Sequence, residues 1–577
     1  MSINTNYPNL RSSLLLDFAN AQQLDPRVTF SRSTTAPYYD GKTSVLAEQN
    51  LFVQSENLLT GWSNINCTIT GSQTDPIGGT TAFKLVCVNG GNEGIYNTTG
   101  GNVSTGLTYS LSAWFKADSA VTLNINSTAG GFTAGNLSLT TAWQYLTITG
   151  ITATNSGAVW FKPTSTVAVY MWHPQLEQRS SVTAYNATTT TAITNYIPQL
   201  LTAPINAPRF DFNPTTGESL GLLIEQSSTN LFTYSQLFNN SAWAAYVATN
   251  VIITATSNIA PDGTQTAQSL IADTSVGTSH AVRQGVVTTA TSYACSVYAK
   301  ANQLNQIFIR EGNYTGAYST FNLTAGTVTS NVLGGVGSIT AVGNGWYRCT
   351  LVLTATANTS RFDIGVLPNS WVSGNALTWT GDGYSGIYIW GAQLEALAFP
   401  TSYIATTSAQ VTRASDNATM TGTNFSSWYN ASQSSLYMDF DIGYYVSGLG
   451  GTNQGLVCFG TQSNRILTYV GNYASRPITG QLYDGTTSTA IALNLGGNLT
   501  TNTSVKVAFA FNTTTLTGTY NGLATNTVTG GNLNLSLNIM YLGYRFDTST
   551  YLNGHIRKFA YYPQAVTSAQ LQALTGS

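Results

Sequence analysis

An internal repeat constrains this chain most, because a pattern that occurs twice in the same order must fold into two similar units. The spacing between matching segments only increases along the chain, so the second copy has the longer loops. Four segments of the first copy recur in the second: residues 50–55 match 230–235, 109–117 match 293–301, 143–147 match 346–350, and 172–177 match 390–395. We therefore predict two homologous domains, at residues 46–190 and 226–415.

Each copy has the sequence pattern of a β-protein. Its apolar residues come in short runs that are rich in aromatic and β-branched residues, such as LSAWF at 111–115 and VAVYMW at 167–172. Clusters of Gly, Asn, Asp and Thr separate these runs, and helical periodicity is nearly absent. The sequence therefore predicts an all-β protein of tandem antiparallel jelly-roll β-sandwiches.

Positions that recur in both copies are predicted to serve the fold. Trp172 and Trp390 stand at the same place before a Gln-Leu-Glu segment. We expect both in the core of a sandwich rather than on a ligand-binding platform. The glutamates that end these segments, Glu177 and Glu395, are expected to bind backbone donors or a calcium ion.

The cysteines are predicted to be structural. The chain has five, without a CxxC pair: Cys67, Cys87, Cys295, Cys349 and Cys458. In the repeat, Cys295 lies opposite Leu111 and Cys349 opposite Leu146, and an exchange of Cys for Leu is typical of a core position. We predict five small buried hydrophobic residues in a protein that is made in a reducing cytoplasm.

The composition excludes several classes of function. Charged residues make up 8% of the chain and the net charge is -2. The chain therefore lacks the excess of Lys and Arg with which proteins bind nucleic acid or an anionic membrane. The apolar runs are too short for membrane insertion, and the short run before Asp17 is too short for a secretory signal. The three histidines lie far apart and no G-x-S-x-G motif occurs, which argues against a zinc site and a serine-hydrolase triad.

Residues 434–577 form a different predicted β unit, which a linker at 416–433 joins to the second copy. Alternation in its first strand directs Met438, Phe440 and Ile442 into a core. The unit ends with a Gly-His-Ile strand that runs into tyrosines, followed by a short helix with Thr567 or Ser568 as its cap. This ending resembles concanavalin-A-like (laminin-G-like) lectin sandwiches, and the resemblance implies that fold.

Three longer segments resemble structural proteins of tailed bacteriophages, of the head-spike-fibre or tail-fibre type. They are LDPRVTFSRSTTAPYYDG at 24–41, NAPRFDFNPTTGESLGLLIEQSSTNLF at 206–232 and IWGAQLEALAFPTSYIATTSAQVTRASD at 389–416. The first two usually lie close together in that family, so copy 1 looks inserted between them. Residues 1–45 and 191–225 are therefore expected to pair as a small split β unit that could attach to the particle. The resemblance implies a virion component and does not imply an enzyme.

Aromatic residues are the best signal of a binding function. Sugars bind to flat aromatic faces, while amide and acid side chains bridge their hydroxyl groups. The chain combines 32 Tyr and 11 Trp with few charges. We predict a carbohydrate site in the C-terminal unit, with these ligand-binding residues: Tyr444, Tyr445, Tyr469, Tyr473, Arg476 and Tyr483. The alternative is that such tyrosines line contacts between subunits or the rim of the core.

Asp439 and Asp441 are the candidate acids of the C-terminal unit. They lie two residues apart on one strand and therefore share a face. Glycoside hydrolysis of the retaining type needs two carboxylates about 5 Å apart, but the next alternating position is Gly443, so the acidic set found in glucanases of this fold is incomplete. A solvated strand face or a pair of calcium ligands is the preferred interpretation. No cofactor is required, and no catalytic residue is predicted.

The sequence thus favours a non-enzymatic bacteriophage virion protein, a head fibre, capsid decoration or tail appendage that binds host-surface glycans. The alternatives are a polysaccharide-degrading tail appendage and a structural cement for capsid or tail that binds no sugar. The expected partners are other virion proteins and cell-surface polysaccharide. We expect a homotrimer, although no coiled-coil heptads occur. The expected location is the virion surface, after assembly in the cytoplasm of the bacterial host.

Overall fold

The computed structural model describes residues 11–89, 92–133, 135–243, 250–255, 258–443, 453–472, 476–485, 491–497, 499–531 and 533–576. Strands account for 49% of the residues and helices for 4%, which confirms the all-β class and the tandem antiparallel sandwiches. The chain divides into two compact units. The smaller consists of Ser44–Ile197 and Ala255–Ala267, and the larger contains the rest. None of the helices in the described residues is long and apolar enough to cross a membrane.

The opening segment has three short strands and one helical turn. They are β1 (Leu14–Asp17), α1 (Phe18–Ala21), β2 (Thr29–Ser31) and β3 (Ala36–Tyr38).

Copy 1 is a sandwich of two antiparallel sheets in the smaller unit. Its strands are β4 (Ser44–Asn50), β5 (Trp62–Ile65), β6 (Cys67–Gln73), β7 (Ala82–Cys87), β8 (Gly94–Asn97), β9 (Asn102–Val103), β10 (Thr108–Ala117), β11 (Val121–Ser127), β12 (Gly135–Leu139), β13 (Gln144–Thr152), β14 (Gly157–Pro163), β15 (Val169–Glu177) and β16 (Ile193–Pro198). One sheet has the order β13-β10-β15-β7-β6, and the other has the order β12-β11-β14-β8-β5 with β9 beside β14. Strands β4 and β16 pair separately where the chain enters and leaves the sandwich.

Copy 2 has the same two-sheet design in the larger unit. The strands that lead to it are β17 (Leu201–Ala203), β18 (Phe210–Phe212), β19 (Ser219–Ile224) and β20 (Ser228–Asn230). A single 3₁₀ turn (Ser241–Trp243) follows, and then β21 (Val251–Ala255), β22 (Gln268–Ala272), β23 (His280–Val287), β24 (Ser292–Lys300), β25 (Gln306–Glu311), β26 (Tyr318–Asn322), β27 (Thr327–Val332), β28 (Val336–Gly343), β29 (Trp346–Thr354), β30 (Thr359–Leu367) and β31 (Gly386–Glu395). The sheet orders are β21-β22-β31-β24-β29-β28 and β23-β30-β25-β26-β27.

The two copies share details of their cores. Phe52 packs on Trp62 with the ring centroids 5.2 Å apart, and the equivalent Phe232 packs on Trp243 at 5.0 Å. Each central strand pair has a register shift at the same place, between Ser112 and Trp114 in copy 1 and between Ser296 and Tyr298 in copy 2. A bulge of this kind changes the side of the sheet to which the following side chains point. Because it occurs at the same place in both copies, equivalent residues lie on the same side of the sheet in each.

The residues that the repeat assigned to the fold are buried in both copies. Trp172 is 5% exposed and Trp390 is 1% exposed. They are therefore buried as expected, but they lie on the outer side of the sheet, opposite Trp114 and Tyr298, and not in the core between the two sheets. Glu177 and Glu395 each accept hydrogen bonds from the backbone N–H and the hydroxyl of the threonine six residues further on. These glutamates therefore bind backbone donors, which is one of the two roles predicted for them. In each copy the hydrogen bonds hold the segment that follows the last strand of the sandwich against that strand.

The third sandwich is formed by the C-terminal strands together with earlier segments. Strand β32 (Val411–Arg413) precedes it and pairs with β20 in a separate two-stranded sheet. The strands that follow are β33 (Asn417–Thr421), β34 (Gln433–Phe440), β35 (Gln454–Gly460), β36 (Arg465–Val470), β37 (Ile478–Tyr483), β38 (Ile491–Leu495), β39 (Val505–Asn512), β40 (Thr515–Tyr520), β41 (Asn526–Thr529), β42 (Ile539–Leu542) and β43 (Gly554–Tyr562). The helices are α2 (Thr423–Ser426) and α3 (Ser568–Gly576). Met438, Phe440 and Ile442 lie in the core as predicted, and the hydroxyl of Thr567 accepts from the Gln570 N–H at the start of α3.

The structure corrects the predicted small split unit and the predicted linker. Strands β1, β18 and β19 extend the eight-stranded sheet β18-β19-β43-β34-β39-β40-β41, in which β1 pairs with β43. Strand β2 pairs with β33 at the edge of the seven-stranded sheet β2-β33-β42-β35-β36-β37-β38. The described strands of residues 11–45 and 191–225 thus extend the sheets of the C-terminal sandwich, apart from the separate β3–β17 and β4–β16 pairs. The predicted linker 416–433 supplies strand β33 and helix α2 to the same core.

A buried ion network, comprising Arg32, Arg209, Glu225, Arg413 and Asp416, joins these segments. Arg32 Nη1 lies 2.8 Å from Asp416 Oδ1, and Arg209 Nη2 contacts both Asp416 and Glu225 Oε2, the latter at 2.8 Å. Arg413 Nη2 lies 3.4 Å from the same Glu225 oxygen. Burial alone would raise the pKa of Glu225, but Arg413 and Arg209 hold it far below its ordinary value. Segments 24–41, 206–232 and 389–416 therefore meet in one charged network.

The structure also corrects the prediction of five unpaired cysteines. Cys67 and Cys87 lie directly opposite each other on strands β6 and β7 and form a disulfide, whereas Cys295, Cys349 and Cys458 are free and buried. The pairing depends on the register of two antiparallel strands, which a spacing of 20 residues does not reveal. Disulfides persist in oxidising surroundings, so the expectation of reduced thiols does not hold for this pair.

Reducing the disulfide is expected to destabilise the smaller unit by about 3 kcal/mol, because a closed loop of this length removes entropy from the unfolded chain. Thermal unfolding of the whole protein with and without a phosphine reductant measures the effect. The double variant Cys67→Ala/Cys87→Ala is the control, since its unfolding should not respond to reductant. An identical unfolding curve for the wild type in both conditions would contradict the prediction.

Candidate functional site

The predicted carbohydrate residues have different places in the structure. Tyr444, Tyr445 and Tyr473 lie outside the described residues. Tyr469 in β36 and Tyr483 in β37 are half-buried on one side of the seven-stranded sheet. Arg476 precedes β37, and its guanidinium donates a hydrogen bond to the carbonyl oxygen of Leu499. The structure therefore brings two of the six predicted residues to one surface.

Alternation along two paired strands creates this surface. In β36, Ile466 and Val470 point into the core, so Arg465 and Tyr469 point outward. In β37, Leu482 points into the core and Tyr483, which pairs with Arg465, points outward. Opposite residues of an antiparallel pair share a face. The outward side chains therefore form one continuous patch.

The centre of this patch is a layered arrangement of arginines and aromatic rings. The Arg465 guanidinium lies 4.7 Å from the centroid of the Tyr483 ring and 5.8 Å from that of Phe546. Arg545 lies 4.8 Å from the Phe546 centroid on the loop after β42. Gln481 fixes the orientation of Arg465 by accepting hydrogen bonds from its Nη2 at 3.0 Å and Nε at 3.2 Å. We refer to Arg465, Gln481, Tyr483, Arg545 and Phe546 as the arginine–tyrosine face.

The arginine–tyrosine face carries an excess of positive charge. Asp547 forms an ion pair with one of the two arginines, its Oδ2 lying 3.5 Å from Arg545 Nε. Burial, and then the neighbouring Arg545, lower the pKa of Arg465, although an arginine stays protonated. Cys458 lies on the same side of the sheet, and burial raises the pKa of its thiol to about 11. The thiol is therefore neutral at physiological pH, so it does not offset this charge.

This arrangement suits a ligand with both apolar and polar surface. Aromatic rings offer flat faces for C–H groups, and guanidinium groups donate paired hydrogen bonds to hydroxyl or carboxylate oxygens. Arg465, Arg545 and Phe546 were not among the predicted residues. The alternation of Arg465 with buried residues was a usable signal in the sequence. The position of the loop with Arg545 and Phe546 depends on the pairing of β42 with β35, which the sequence does not reveal.

The candidate acids Asp439 and Asp441 both have protein partners. Ser504 donates a hydrogen bond to Asp439 at 2.6 Å. Asp441 lies 2.9 Å from Nδ1 of His555, whose Nε2 lies 3.1 Å from Asp211. No group of three or more His, Cys, Asp or Glu side chains that could hold a metal ion occurs among the described residues. A calcium ion at Asp439 and Asp441 therefore stays a prediction.

A cavity of about 370 Å³ lies elsewhere in the larger unit, lined by Arg348, Glu225 and His555 among others. Its charged groups are already bonded within the protein. Arg348 donates to the Thr401 carbonyl at 2.7 Å, and Glu225 accepts from the N–H and hydroxyl of Ser402 at 2.7 Å. Because these groups have partners, we interpret the cavity as a packing feature, and the arginine–tyrosine face remains the better candidate site.

Comparison with known proteins identifies distant structural neighbours. No protein-family model matches the chain, and no curated protein matches it. The CBM40 domain of the Ruminococcus gnavus IT-sialidase, solved with α2,3-sialyllactose, has 15% identity and a TM-score of 0.23, covering 26% of this chain and 88% of the other. The NanB sialidase of Streptococcus pneumoniae has 14% identity and a TM-score of 0.24 over 27% and 26% of the two chains. A botulinum neurotoxin type C structure has 13% identity and a TM-score of 0.23 over 28% and 39%. Similarity at this level carries no argument about what this chain binds.

Proposed function

We propose that the protein is a non-catalytic appendage of a tailed-bacteriophage particle, a head fibre, capsid decoration or tail-appendage protein, and that it binds host-surface glycans. The observation that carries the glycan part is the arginine–tyrosine face. Its rings and guanidinium groups are stacked and half-exposed on a chain in which charged residues are only 8%. A charge cluster on such a surface is unusual enough to require an explanation, and saccharide recognition uses these groups.

The virion part of the proposal is supported by the three phage-like segments. Each segment contributes at least one residue to the buried ion network, so the resemblance includes residues that hold the fold together. Many copies on one particle would raise the effective concentration of a weak sugar site. A homotrimer on the virion surface, assembled in the host cytoplasm with capsid or tail proteins, fits this use.

Replacing Tyr483 by alanine is expected to weaken glycan binding about tenfold, because the ring supports both the sugar face and the Arg465 guanidinium. An array of bacterial surface polysaccharides identifies a ligand for the wild type, and calorimetry with that ligand measures the loss. The matched control is Tyr384→Ala, since Tyr384 is a 45% exposed tyrosine elsewhere. Equal losses in the two variants, or no bound glycan for the wild type, would contradict the glycan part.

The particle itself tests the virion part. Deleting the gene should remove an appendage from electron micrographs and reduce adsorption to host cells. Unchanged particles would refute the proposal, and a loss of particle stability without any glycan binding would favour the structural cement instead. Release of reducing ends from a bound polysaccharide would contradict the absence of catalysis.

A further inference from the structure

Copy 1 carries a second aromatic and basic surface on the outer side of its sheet β13-β10-β15-β7-β6. Lys84, Tyr170 and Lys116 are neighbours across β7, β15 and β10. The ammonium of Lys116 lies 4.6 Å from the centroid of the Tyr170 ring and 5.2 Å from that of Trp143. Lys84 lies 5.4 Å from the same Tyr170 centroid. We call Lys84, Trp114, Lys116, Trp143, Tyr145 and Tyr170 the lysine–aromatic face.

Two further rings extend this face along the sheet. Trp114 on β10 pairs with Tyr145 on β13, and the ring centroids lie 5.5 Å apart. Trp143 and Tyr170 meet edge to face at 6.4 Å. Tyr145 is 42% exposed, and the other three rings are half-buried. The result is a group of four accessible rings on one side of the sheet.

Copy 2 provides an internal comparison for these positions. Tyr298 corresponds to Trp114, Trp346 to Trp143 and Tyr388 to Tyr170, and all three are at most 9% exposed. Tyr298 packs against Trp390 at 5.3 Å and against Tyr403 at 6.0 Å. The same face therefore serves packing in copy 2. In copy 1 it stays exposed with larger and more numerous rings, a feature that core packing does not explain.

The charge of the face is incompletely balanced. Lys84 Nζ lies 3.3 Å from Asp118. Lys116 lies over two rings, and none of the ion pairs found among the described residues includes it. The faces of aromatic rings attract an ammonium but carry no net negative charge. A ligand on this face would thus meet a cation that no protein carboxylate neutralises.

We propose that the lysine–aromatic face is a second saccharide site and that it takes an acidic polysaccharide. Pyranose C–H faces stack on Trp143, Tyr145 and Tyr170, while a carboxylate of the polysaccharide pairs with Lys116. This site is separate from the arginine–tyrosine face, so either can fail without the other. The two together would let one chain hold a host polysaccharide at two points.

Binding of polygalacturonate to the whole protein tests the proposal, with tryptophan fluorescence and affinity electrophoresis as readouts. We expect binding that weakens with added salt, because it includes an ion pair. Trp143→Ala should lower the affinity about tenfold. Lys116→Gln should lower it about fivefold and reduce the salt dependence. Neutral dextran should bind more weakly than polygalacturonate, and Lys116→Gln should not change its binding.

Two control variants test whether polygalacturonate binds at the lysine–aromatic face and not elsewhere on the protein. Lys162→Gln removes a lysine that stacks on Trp160 of the other sheet at 4.8 Å, so it should bind polygalacturonate like the wild type. Tyr483→Ala should also bind it, which separates this site from the arginine–tyrosine face. The proposal is overturned if the wild type does not bind polygalacturonate, if Lys162→Gln loses as much affinity as Lys116→Gln, or if Tyr483→Ala alone abolishes binding. Circular dichroism of each variant verifies that the sandwich is folded.

Discussion

Replacing Arg209 by alanine is expected to lower the free energy of unfolding of the larger unit by about 3–5 kcal/mol, because it leaves buried carboxylates without a partner. Arg209 is fully buried and contacts both Asp416 and Glu225. Arg32 and Arg413 remain in the variant, but their contacts with these carboxylates are fewer or longer. The charge that Arg209 neutralises would then face a nonpolar interior.

Thermal unfolding measures this effect, and we expect the transition of the larger unit to fall by about 5 °C. Arg27→Ala is the matched control, because Arg27 forms a partly exposed ion pair with Asp25 at 2.7 Å. Such a pair contributes under about 1 kcal/mol. If Arg209→Ala unfolds at the same temperature as Arg27→Ala, the ion network does not hold the three segments together.

The stability of the larger unit is expected to fall as the pH rises above neutrality, because of His555. Its ring lies between Asp441 at 2.9 Å and Asp211 at 3.1 Å. Burial alone would lower the pKa of His555, but Asp441 and Asp211 together raise it to about 10. An unfolded histidine has a pKa of about 6.5. The stabilisation is therefore complete below about pH 6.5 and is lost as the pH rises toward 10.

Urea unfolding at pH 7 and pH 9 measures this loss, which should be about 2 kcal/mol for the wild type. His555→Gln should be less stable at pH 7 and should lose much less stability between the two pH values, since glutamine does not titrate. Buried thiols and tyrosines also respond to alkaline pH, and they are the same in both proteins. Equal pH dependence of the two proteins would contradict the role of His555.

Much of the candidate site could be read from alternation along the strands. Arg465, Tyr469 and Tyr483 stand at outward positions because their neighbours Ile466 and Leu482 are apolar and enter the core. The same alternation predicted the core positions of Met438, Phe440 and Ile442. Trp114 and Trp143 were part of a recognised repeat, but the sequence did not show that copy 1 exposes these residues while copy 2 buries their counterparts Tyr298 and Trp346.

Local pattern by itself determined the all-β class, the two homologous copies and the inward or outward side of most strands, because each of these follows from side chains only a few residues apart. Tertiary structure alone decided which strands pair across long distances. It placed the opening segment and the segment between the copies in the C-terminal sandwich, and it brought Arg32, Arg209 and Asp416 into one network. It also set Cys67 opposite Cys87. Such contacts depend on strand register and on the burial of charges by distant segments. Neither of these produces a periodic pattern of residues from which it could be predicted.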